Sequence, residues 1–145
     1  FPMFVHDLRV TLRDTDAAAI VFFARYFDLA HMAYEAFLEA HGLPLGDLIE
    51  NASYLLPIVH AEADYRQPLK VGESVRVEVT AEPVRSRSFT LHYRLVKADG
   101  ALAATVRTVH AVIERATWKS TALPERLRTA LHSVQSDPST STKDR

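Results

Sequence analysis

Two aspartates stand two residues apart, directly ahead of an apolar run. Asp14 and Asp16 precede residues 17–24, all of which are small or apolar. A carboxylate at the mouth of an apolar pocket is poorly solvated, which makes it a better base or nucleophile than one in bulk water. The alternative is a structural role, because Asp is a favoured residue at helix N-caps. The helical pattern starts only near Phe23, which is too far from either aspartate for a direct cap. Spacing alone nevertheless favours a cap or loop role slightly over a catalytic one.

Histidine and arginine side chains supply the other candidates for chemistry. His31 and Glu35 are one helical turn apart, but a metal site needs further ligands at matching spacing, and we expect no metal and no cofactor. His60 lies on the polar side of a predicted strand, which also fits a solvated or interfacial position. Arg85 and Arg87 lie in a turn and could bind phosphates through forked hydrogen bonds, although an ordinary charged turn fits equally well.

The composition limits the kind of protein this is. The 145 residues fit one domain, and with 48% apolar residues a core can form. The net charge of −1 gives no overall field for nucleic acid or an anionic membrane, and no apolar run approaches the ~20 residues that cross a bilayer. The chain has no cysteine, which excludes disulfides and thiolate zinc sites and is compatible with the cytoplasmic location that we expect.

Hydrophobic periodicity predicts the elements that position these residues. Alternation predicts a strand over residues 4–12, and helical spacing over residues 23–41 predicts a long helix that Gly42 ends. Alternation then predicts four strands in sequence, linked by short turns and therefore antiparallel to their neighbours. Asp99 and Gly100 predict a hairpin between the last two.

We therefore expect an α+β fold in which one long helix packs on an antiparallel sheet of about five strands. Residues 1–132 form a single domain. Residues 133–145 are rich in Ser, Thr, Asp and Lys, which predicts a mobile tail.

Two motifs resemble a known family. The stretch DTDAAAIVFFARYF, followed by a long helix, is similar to the hotdog-fold thioesterases of the 4-hydroxybenzoyl-CoA thioesterase family, and the resemblance spans about residues 5–117. The stretch LPIVHAEADYRQPLKVGE is closer to the 1,4-dihydroxy-2-naphthoyl-CoA thioesterases of phylloquinone and menaquinone synthesis. Phe23 replaces the histidine usual in the Tol-Pal-linked branch, which argues against that branch. Ala19 replaces a glycine usual in the whole family, and alanine would resist a loop that needs positive φ.

The resemblance implies a role for several residues. Asp16 matches the catalytic carboxylate, which acts either as a nucleophile through a mixed anhydride or as a general base. The backbone N–H of Phe23 matches the group that binds the thioester oxygen. The resemblance also favours CoA phosphate binding at the turn before the second-last strand, and the CoA-binding candidates are Arg85, Arg87 and Ser88. The pocket candidates are Phe22, His31 and His60.

The expected function is hydrolysis of an acyl-CoA, with an aromatic acyl group such as 1,4-dihydroxy-2-naphthoyl favoured. The alternatives are a thioesterase for aliphatic acyl-CoA and a non-catalytic acyl-CoA-binding module of hotdog fold. The apolar and small residues of the last strand indicate a covered sheet face, and in so short a chain a second copy is the expected cover. The resemblance implies a dimer or tetramer whose active site lies between subunits, with no nucleic acid and no membrane as partner.

Overall fold

A computed structural model describes residues 2–136, which form one five-stranded antiparallel sheet with a long helix packed on it. The order across the sheet is β1–β4–β5–β6–β3. These strands are β1 (Phe4–Arg9), β3 (Ile58–Tyr65), β4 (Ser74–Ala81), β5 (Ser88–Lys97) and β6 (Leu102–Ala111). The helices are α1 (Arg25–Ala40), α2 (Leu45–Asn51) and α3 (Glu125–His132), and the short strands β2 (Tyr54–Leu55) and β7 (Ile113–Glu114) pair with each other. The predicted α+β class with five antiparallel strands is confirmed.

The long helix α1 forms because apolar side chains recur every three or four residues along one face. That face packs on the sheet, and its buried residues are Tyr26, Leu29, Ala30, Ala33, Tyr34, Phe37 and Leu38. The predicted end is confirmed, since Gly42 has a φ of +73° and the Leu43 amide donates to the Leu38 carbonyl. The predicted start is two residues early, because α1 begins at Arg25 rather than at Phe23. Within residues 2–136, no helix combines the length and apolar character that a membrane crossing requires.

The position of β3 corrects the predicted topology. The short link after β3 predicted that β3 and β4 are neighbours, but β3 pairs with β6, while β4 pairs with β1. The link crosses the end of the sheet instead, where the Leu69 carbonyl accepts the Val21 amide and the Val10 carbonyl accepts the Gly72 amide. Burial explains the order: alternate residues of β4 are fully buried, whereas seven of the eight residues of β3 are exposed.

The C-terminal segment packs along the sheet further than expected. The mobile tail was predicted from Ser133, but Val134 is buried and its carbonyl accepts the Ala81 amide at 2.9 Å. The Ser136 amide then donates to the Ala81 carbonyl, also at 2.9 Å. Residues 133–136 therefore belong to the domain rather than to a mobile tail, because they form hydrogen bonds with the backbone groups at the end of β4. The remainder of the predicted tail, residues 137–145, lies outside the described residues.

The end of α2 is held by one arginine that follows β7. The last carbonyls of a helix have no partner within the helix. Arg115 Nε donates to the Ala52 carbonyl at 2.8 Å, and Arg115 Nη2 donates to the carbonyls of Leu48, at 3.0 Å, and Ile49. This side chain therefore fastens α2 to the β2–β7 pair.

Replacing Arg115 by methionine should lower the free energy of unfolding by about 2 kcal/mol, because a hydrogen bond to a charged group contributes roughly 1.5–3 kcal/mol. Urea unfolding followed by circular dichroism measures the change. Arg76→Met is the matched control: Arg76 Nε lies 3.6 Å from Asp7 Oδ1 on the exposed surface, so its loss should cost less than about 0.5 kcal/mol. Equal losses for the two variants would contradict the role assigned to Arg115.

Candidate active site

Asp16 lies in a tight hairpin that is tied to the core just before α1. Thr15 bridges Val21, and the Phe22 amide donates to the Asp14 carbonyl at 3.1 Å. At the tip, the Asp16 amide donates to the Ile20 carbonyl, and Asp16 Oδ1 accepts the Ala18 amide at 2.8 Å. The carboxylate is thus oriented by the backbone of its own loop. Since Val21 is also bonded to Leu69 beneath it, the hairpin has a fixed base.

The apolar run after Asp16 is largely exposed in the single chain. Val21 is buried, but Ala17, Ala18 and Ala19 at the hairpin tip are exposed. Phe22 and Phe23 have exposed fractions of 44% and 60%. The apolar character of this run therefore does not correspond to burial within the single chain. Contiguous exposed apolar groups of this kind mark interaction surfaces or ligand sites.

The start of α1 offers unpaired backbone donors. Within the described residues, the N–H groups of Phe23 and Ala24 have no acceptor, while the Tyr26 and Phe27 amides already bond to the Phe23 and Ala24 carbonyls. Neither Asp14 nor Asp16 caps α1. Free amides at a helix N-terminus, at the positive end of the helix dipole, are suited to an anionic oxygen. Asp16 lies in the hairpin that directly precedes this terminus, opposite Ile20 and two rungs beyond the Asp14–Phe22 pair.

Asp14 has the structural role expected for it. Asp14 Oδ2 accepts the Thr11 amide and the Thr11 hydroxyl, each at 2.9 Å. These bonds close the short 3₁₀ helix Leu12–Asp14 that leads into the hairpin. The bond between the Asp14 carbonyl and the Phe22 amide then fixes the far side, so Asp14 supports the loop that carries Asp16.

Tyr65 is a site residue that the sequence analysis treated only as part of a strand. Its hydroxyl donates to the Phe23 carbonyl at 3.0 Å, which anchors the start of α1 to the end of β3. Its ring also packs edge-on against the rings of Tyr26 and Phe23, at centroid distances of 4.9 Å and 6.5 Å. Because 42 residues separate Tyr65 from Phe23, no local sequence pattern could have indicated the contact.

The three predicted pocket residues lie in different places. His31 lines a cavity of ≈ 260 Å³ between α1, α2 and the β2–β7 pair, and its Nδ1 lies 3.0 Å from Glu35 Oε2. Phe22 lies outside this cavity and packs on Phe23, with ring centroids 4.6 Å apart. His60 pairs in register with Val109, on the sheet face opposite α1. The structure therefore does not bring Phe22, His31 and His60 together in one chain.

His60 belongs to a chain of charges across the outer face of the sheet. Its Nε2 lies 3.0 Å from Glu62 Oε1, which also accepts from Arg107 Nη1. Arg107 Nε donates to Glu82 Oε2, which lies 2.6 Å from His92 Nε2. The contact with His60 is the main cause that lowers the pKa of Glu62. Burial alone would raise the pKa of Glu82, but the bonds from His92 and Arg107 lower it. Residues 2–136 contain no cluster of three or more candidate metal ligands.

Of the predicted CoA-binding residues, Arg85 and Arg87 lie in the link between β4 and β5, and Ser88 is the first residue of β5. Arg85 and Arg87 are exposed, and within residues 2–136 their guanidinium groups make no ion pair or hydrogen bond. The backbone of the link is well held: the Arg85 amide donates to the Ser88 carbonyl, and Arg128 Nη2 donates to the Arg85 carbonyl at 3.3 Å. Two cations without partners on a fixed loop can pair with an anion.

Strand pairing separates the predicted site residues into two groups. Ser88 of β5 pairs with Ala111 of β6. The β6 residue next to Ala111 pairs with Ile58 of β3, which lines the cavity. The loop of Arg85 and Arg87 and the cavity of His31 therefore share one end of the sheet. Tyr65, at the other end of β3, lies beside Phe23 and the hairpin. One chain thus carries the carboxylate at one end of the sheet and the candidate phosphate and pocket groups at the other.

Comparisons with known proteins agree with this architecture. Residues 10–131 match the sequence profile of the thioesterase-like superfamily. The chain is 36% identical over 128 residues to a 1,4-dihydroxy-2-naphthoyl-CoA hydrolase from Rippkaea orientalis, which covers 87% of this chain and 93% of that protein. It superposes with a TM-score of 0.85 on the crystal structure of a 1,4-dihydroxy-2-naphthoyl-CoA thioesterase from Synechocystis, at 30% identity, covering 90% of this chain and 96% of the other. A Staphylococcus aureus protein in complex with CoA gives a TM-score of 0.84 at 26% identity, covering 93% and 87%. The expected hotdog fold is confirmed.

Ala19 keeps the left-handed backbone that the family usually gives to glycine. Its φ is +64°, so the loop has not changed to suit alanine. This conformation strains a residue that has a Cβ atom. Ala19→Gly should therefore raise the free energy of unfolding by about 0.5–1 kcal/mol, measured by urea unfolding.

Ala18→Gly is the matched control, because Ala18 is also exposed at the hairpin tip but has no positive φ. It should lower the free energy of unfolding, since glycine gains freedom in the unfolded chain. A destabilising effect of Ala19→Gly would show that the backbone strain at this position is negligible.

Proposed function

The chain belongs to the thioesterase-like superfamily, and we propose that it hydrolyses an aromatic acyl-CoA, with 1,4-dihydroxy-2-naphthoyl-CoA as the first candidate substrate. One observation carries this proposal. A hairpin orients the Asp16 carboxylate through the Ala18 amide and leads directly into a helix terminus whose Phe23 and Ala24 amides have no acceptor within residues 2–136. The names of the relatives, and the branch motif that contains His60, support the aromatic acyl group. On this assignment the enzyme acts in phylloquinone or menaquinone synthesis, in the cytoplasm.

The reaction divides between backbone and side chain. The Phe23 N–H donates a hydrogen bond to the thioester oxygen and stabilises the negative charge that develops there during attack. The Asp16 carboxylate then has one of two roles. Either it attacks the carbonyl carbon, expels the CoA thiolate and leaves a mixed anhydride for water to hydrolyse, or it takes a proton from the water that attacks directly. Both routes end in the free acid and CoA.

The separation of the site residues supports an assembly of at least two copies. The edge of β3 has no strand beside it within residues 2–136. If two copies pair their β3 edges in antiparallel fashion, Ile58 of one copy lies beside Tyr65 of the other. That pairing brings the Asp16 hairpin of one copy close to the cavity of its neighbour. We propose this homodimer as the unit that completes the site, and a tetramer as its further assembly.

The same arrangement gives Arg85 and Arg87 a function. Their loop precedes β5, which lies two strands in from β3, or about 10 Å at the usual strand spacing. A CoA ester whose thioester lies at the dimer edge can extend over this distance and bring its phosphates to the two guanidinium groups. The fold similarity to a protein that binds CoA supports this orientation.

Asp16→Asn should lower turnover by about 10²–10⁴-fold, the usual contribution of a positioned base, while CoA affinity stays unchanged. Release of free thiol measures turnover on 1,4-dihydroxy-2-naphthoyl-CoA, benzoyl-CoA and octanoyl-CoA, and calorimetry measures CoA binding. The control is Asp28→Asn at the exposed start of α1, where Asp28 pairs only with Arg25. Full turnover by Asp16→Asn would remove Asp16 from the mechanism. If the wild type binds CoA but turns over none of the three thioesters, the non-catalytic module would be favoured. A preference for octanoyl-CoA would favour the aliphatic acyl-CoA thioesterase.

Replacing both Arg85 and Arg87 by alanine should raise KM for a CoA ester about tenfold, equivalent to 1.4 kcal/mol. The same acyl group on N-acetylcysteamine lacks the nucleotide phosphates, so its KM should not change. Arg94→Ala is the control, since Arg94 pairs with Glu78 on another part of the surface. Equal rises in KM for both thioesters would contradict phosphate binding by this loop.

A further inference from the structure

The cavity lined by His31, which we call the α2 cavity, has the features of a ligand site. Its volume is ≈ 260 Å³, and apart from His31 its walls carry no ionisable side chain other than tyrosines. Leu48 and Ile49 of α2 form one side, and Ile58 of β3 forms part of the opposite side. Ligand pockets usually measure roughly 300–1,000 Å³, so this cavity suits one part of a CoA ester rather than the whole molecule.

Tyr34 supplies a polar group without a partner in this cavity. The side chain lines the cavity and is only 2% exposed, yet its hydroxyl makes no hydrogen bond within residues 2–136. Buried polar atoms are nearly always bonded, so an unpartnered one calls for an explanation. Burial raises the pKa of Tyr34, which keeps the hydroxyl protonated and able to donate. A ligand atom in the cavity would satisfy it.

The position and backbone conformation of Trp118 at the rim of the α2 cavity are a second, independent observation. Trp118 lines the cavity, but its exposed fraction is 71%, and its φ of +60° is a strained value for a bulky side chain. A tight turn imposes this conformation: the Trp118 amide donates to the Glu114 carbonyl, and the Glu114 amide donates to the Lys119 carbonyl, each at 2.8 Å. Strained residues held by their surroundings cluster at ligand sites.

The helix geometry determines which thioester could reach this cavity. Eight residues separate Phe23 from His31, which corresponds to about 12 Å along α1. A ring in the cavity therefore lies too far along the helix to present its carbonyl to the Phe23 amide of the same chain. In the proposed homodimer, antiparallel pairing of the β3 edges would bring the Phe23 amide of a second copy to the cavity side.

We propose that the α2 cavity binds the aromatic ring of the acyl group, with the Tyr34 hydroxyl bonded to an oxygen substituent on the ring and the Trp118 indole packed against the ring. This inference rests on the proposed function, because it identifies which part of the substrate enters the cavity. It adds Tyr34 and Trp118 as residues that determine specificity. The ligand class is a flat, neutral aromatic group that carries a hydroxyl.

The test uses ligands that contain no thioester and no CoA. The full-length protein is titrated with 1-naphthol and with naphthalene by calorimetry. Trp118 is the single tryptophan of the chain, so its indole N–H gives one signal in a ¹H–¹⁵N spectrum. We expect 1-naphthol to shift that signal. Tyr34→Phe should weaken 1-naphthol binding about threefold to tenfold, the usual effect of one hydrogen bond, and leave naphthalene binding unchanged.

Two variants keep the test specific. Tyr93→Phe removes another buried tyrosine hydroxyl, but this one is bonded to Thr108 and lies outside the cavity, so 1-naphthol affinity should not change. Trp118→Gly should weaken binding of both ligands and at the same time stabilise the fold, because glycine relieves the positive φ. A purely structural role of Trp118 would predict no loss of binding.

The two proposals can fail separately. Equal weakening of 1-naphthol and naphthalene by Tyr34→Phe, or a Trp118 signal that does not move, would overturn the cavity assignment whatever the enzyme hydrolyses. If 1-naphthol binds as expected but no acyl-CoA is hydrolysed, the thioesterase proposal fails and the cavity remains a site for aromatic hydroxyl compounds.

Discussion

The unpaired edge of β3 is the constraint on which the rest of the site depends. An exposed strand edge presents free N–H and C=O groups that readily pair with another chain. Along this edge Ile58, Val59 and Tyr65 are exposed, and Ala61 and Ala63 alternate with His60, Glu62 and Asp64. The edge also joins the two halves of the site. Phe23, at the start of α1, is bonded to Tyr65 at one end of β3, and Ile58 at the other end lines the α2 cavity. In the homodimer that we propose, the pairing of two such edges would bring these two halves together, so that catalysis and assembly would depend on the same strand.

Backbone groups rather than side chains build most of the catalytic geometry. The hairpin is closed by amide–carbonyl bonds, and the proposed oxyanion donors are the Phe23 and Ala24 amides, which have no acceptor within residues 2–136. The identity of the Phe23 side chain is therefore secondary, which explains how a branch with histidine at this position can share the fold. Side chains matter where they lock the backbone. Asp14 closes the segment before the hairpin, and Tyr65 holds the Phe23 carbonyl. The strain at Ala19 is a small cost that this framework offsets.

The sequence predicts the parts of the structure that depend on local patterns. The long helix, its end at Gly42 and the β5–β6 hairpin follow from spacing and turn chemistry, and Gly100 has the expected positive φ of 90°. The pairing of β3 with β6 could not be read from turn length, because a short link can cross the end of a sheet as well as close a hairpin. Local sequence patterns also could not predict the bond from Tyr65 to Phe23 or the cavity between Tyr34 and Trp118, because each joins residues far apart in the chain. The exposure of Phe22 and Phe23 could not be anticipated either, because apolar character does not distinguish a buried core from a surface that a second copy covers.

The residues packed behind Tyr34 bear on how such a site would select its ligand. Beneath Tyr34, the ring of His110 lies 4.7 Å away, stacked on its other side against Phe89. Burial lowers the pKa of His110 to about 4, so the imidazole is neutral at pH 7 and places no positive charge under the cavity. A neutral ring in the cavity would gain apolar contact and one hydrogen bond from Tyr34. Sites built to hydrogen-bond a substrate hydroxyl reject analogues that lack it, because the polar group of the site is then left unpaired. The Tyr34 hydroxyl has no partner within residues 2–136, and a hydroxylated ring would supply one, so selectivity for the ring oxygen follows from the burial of a single hydroxyl.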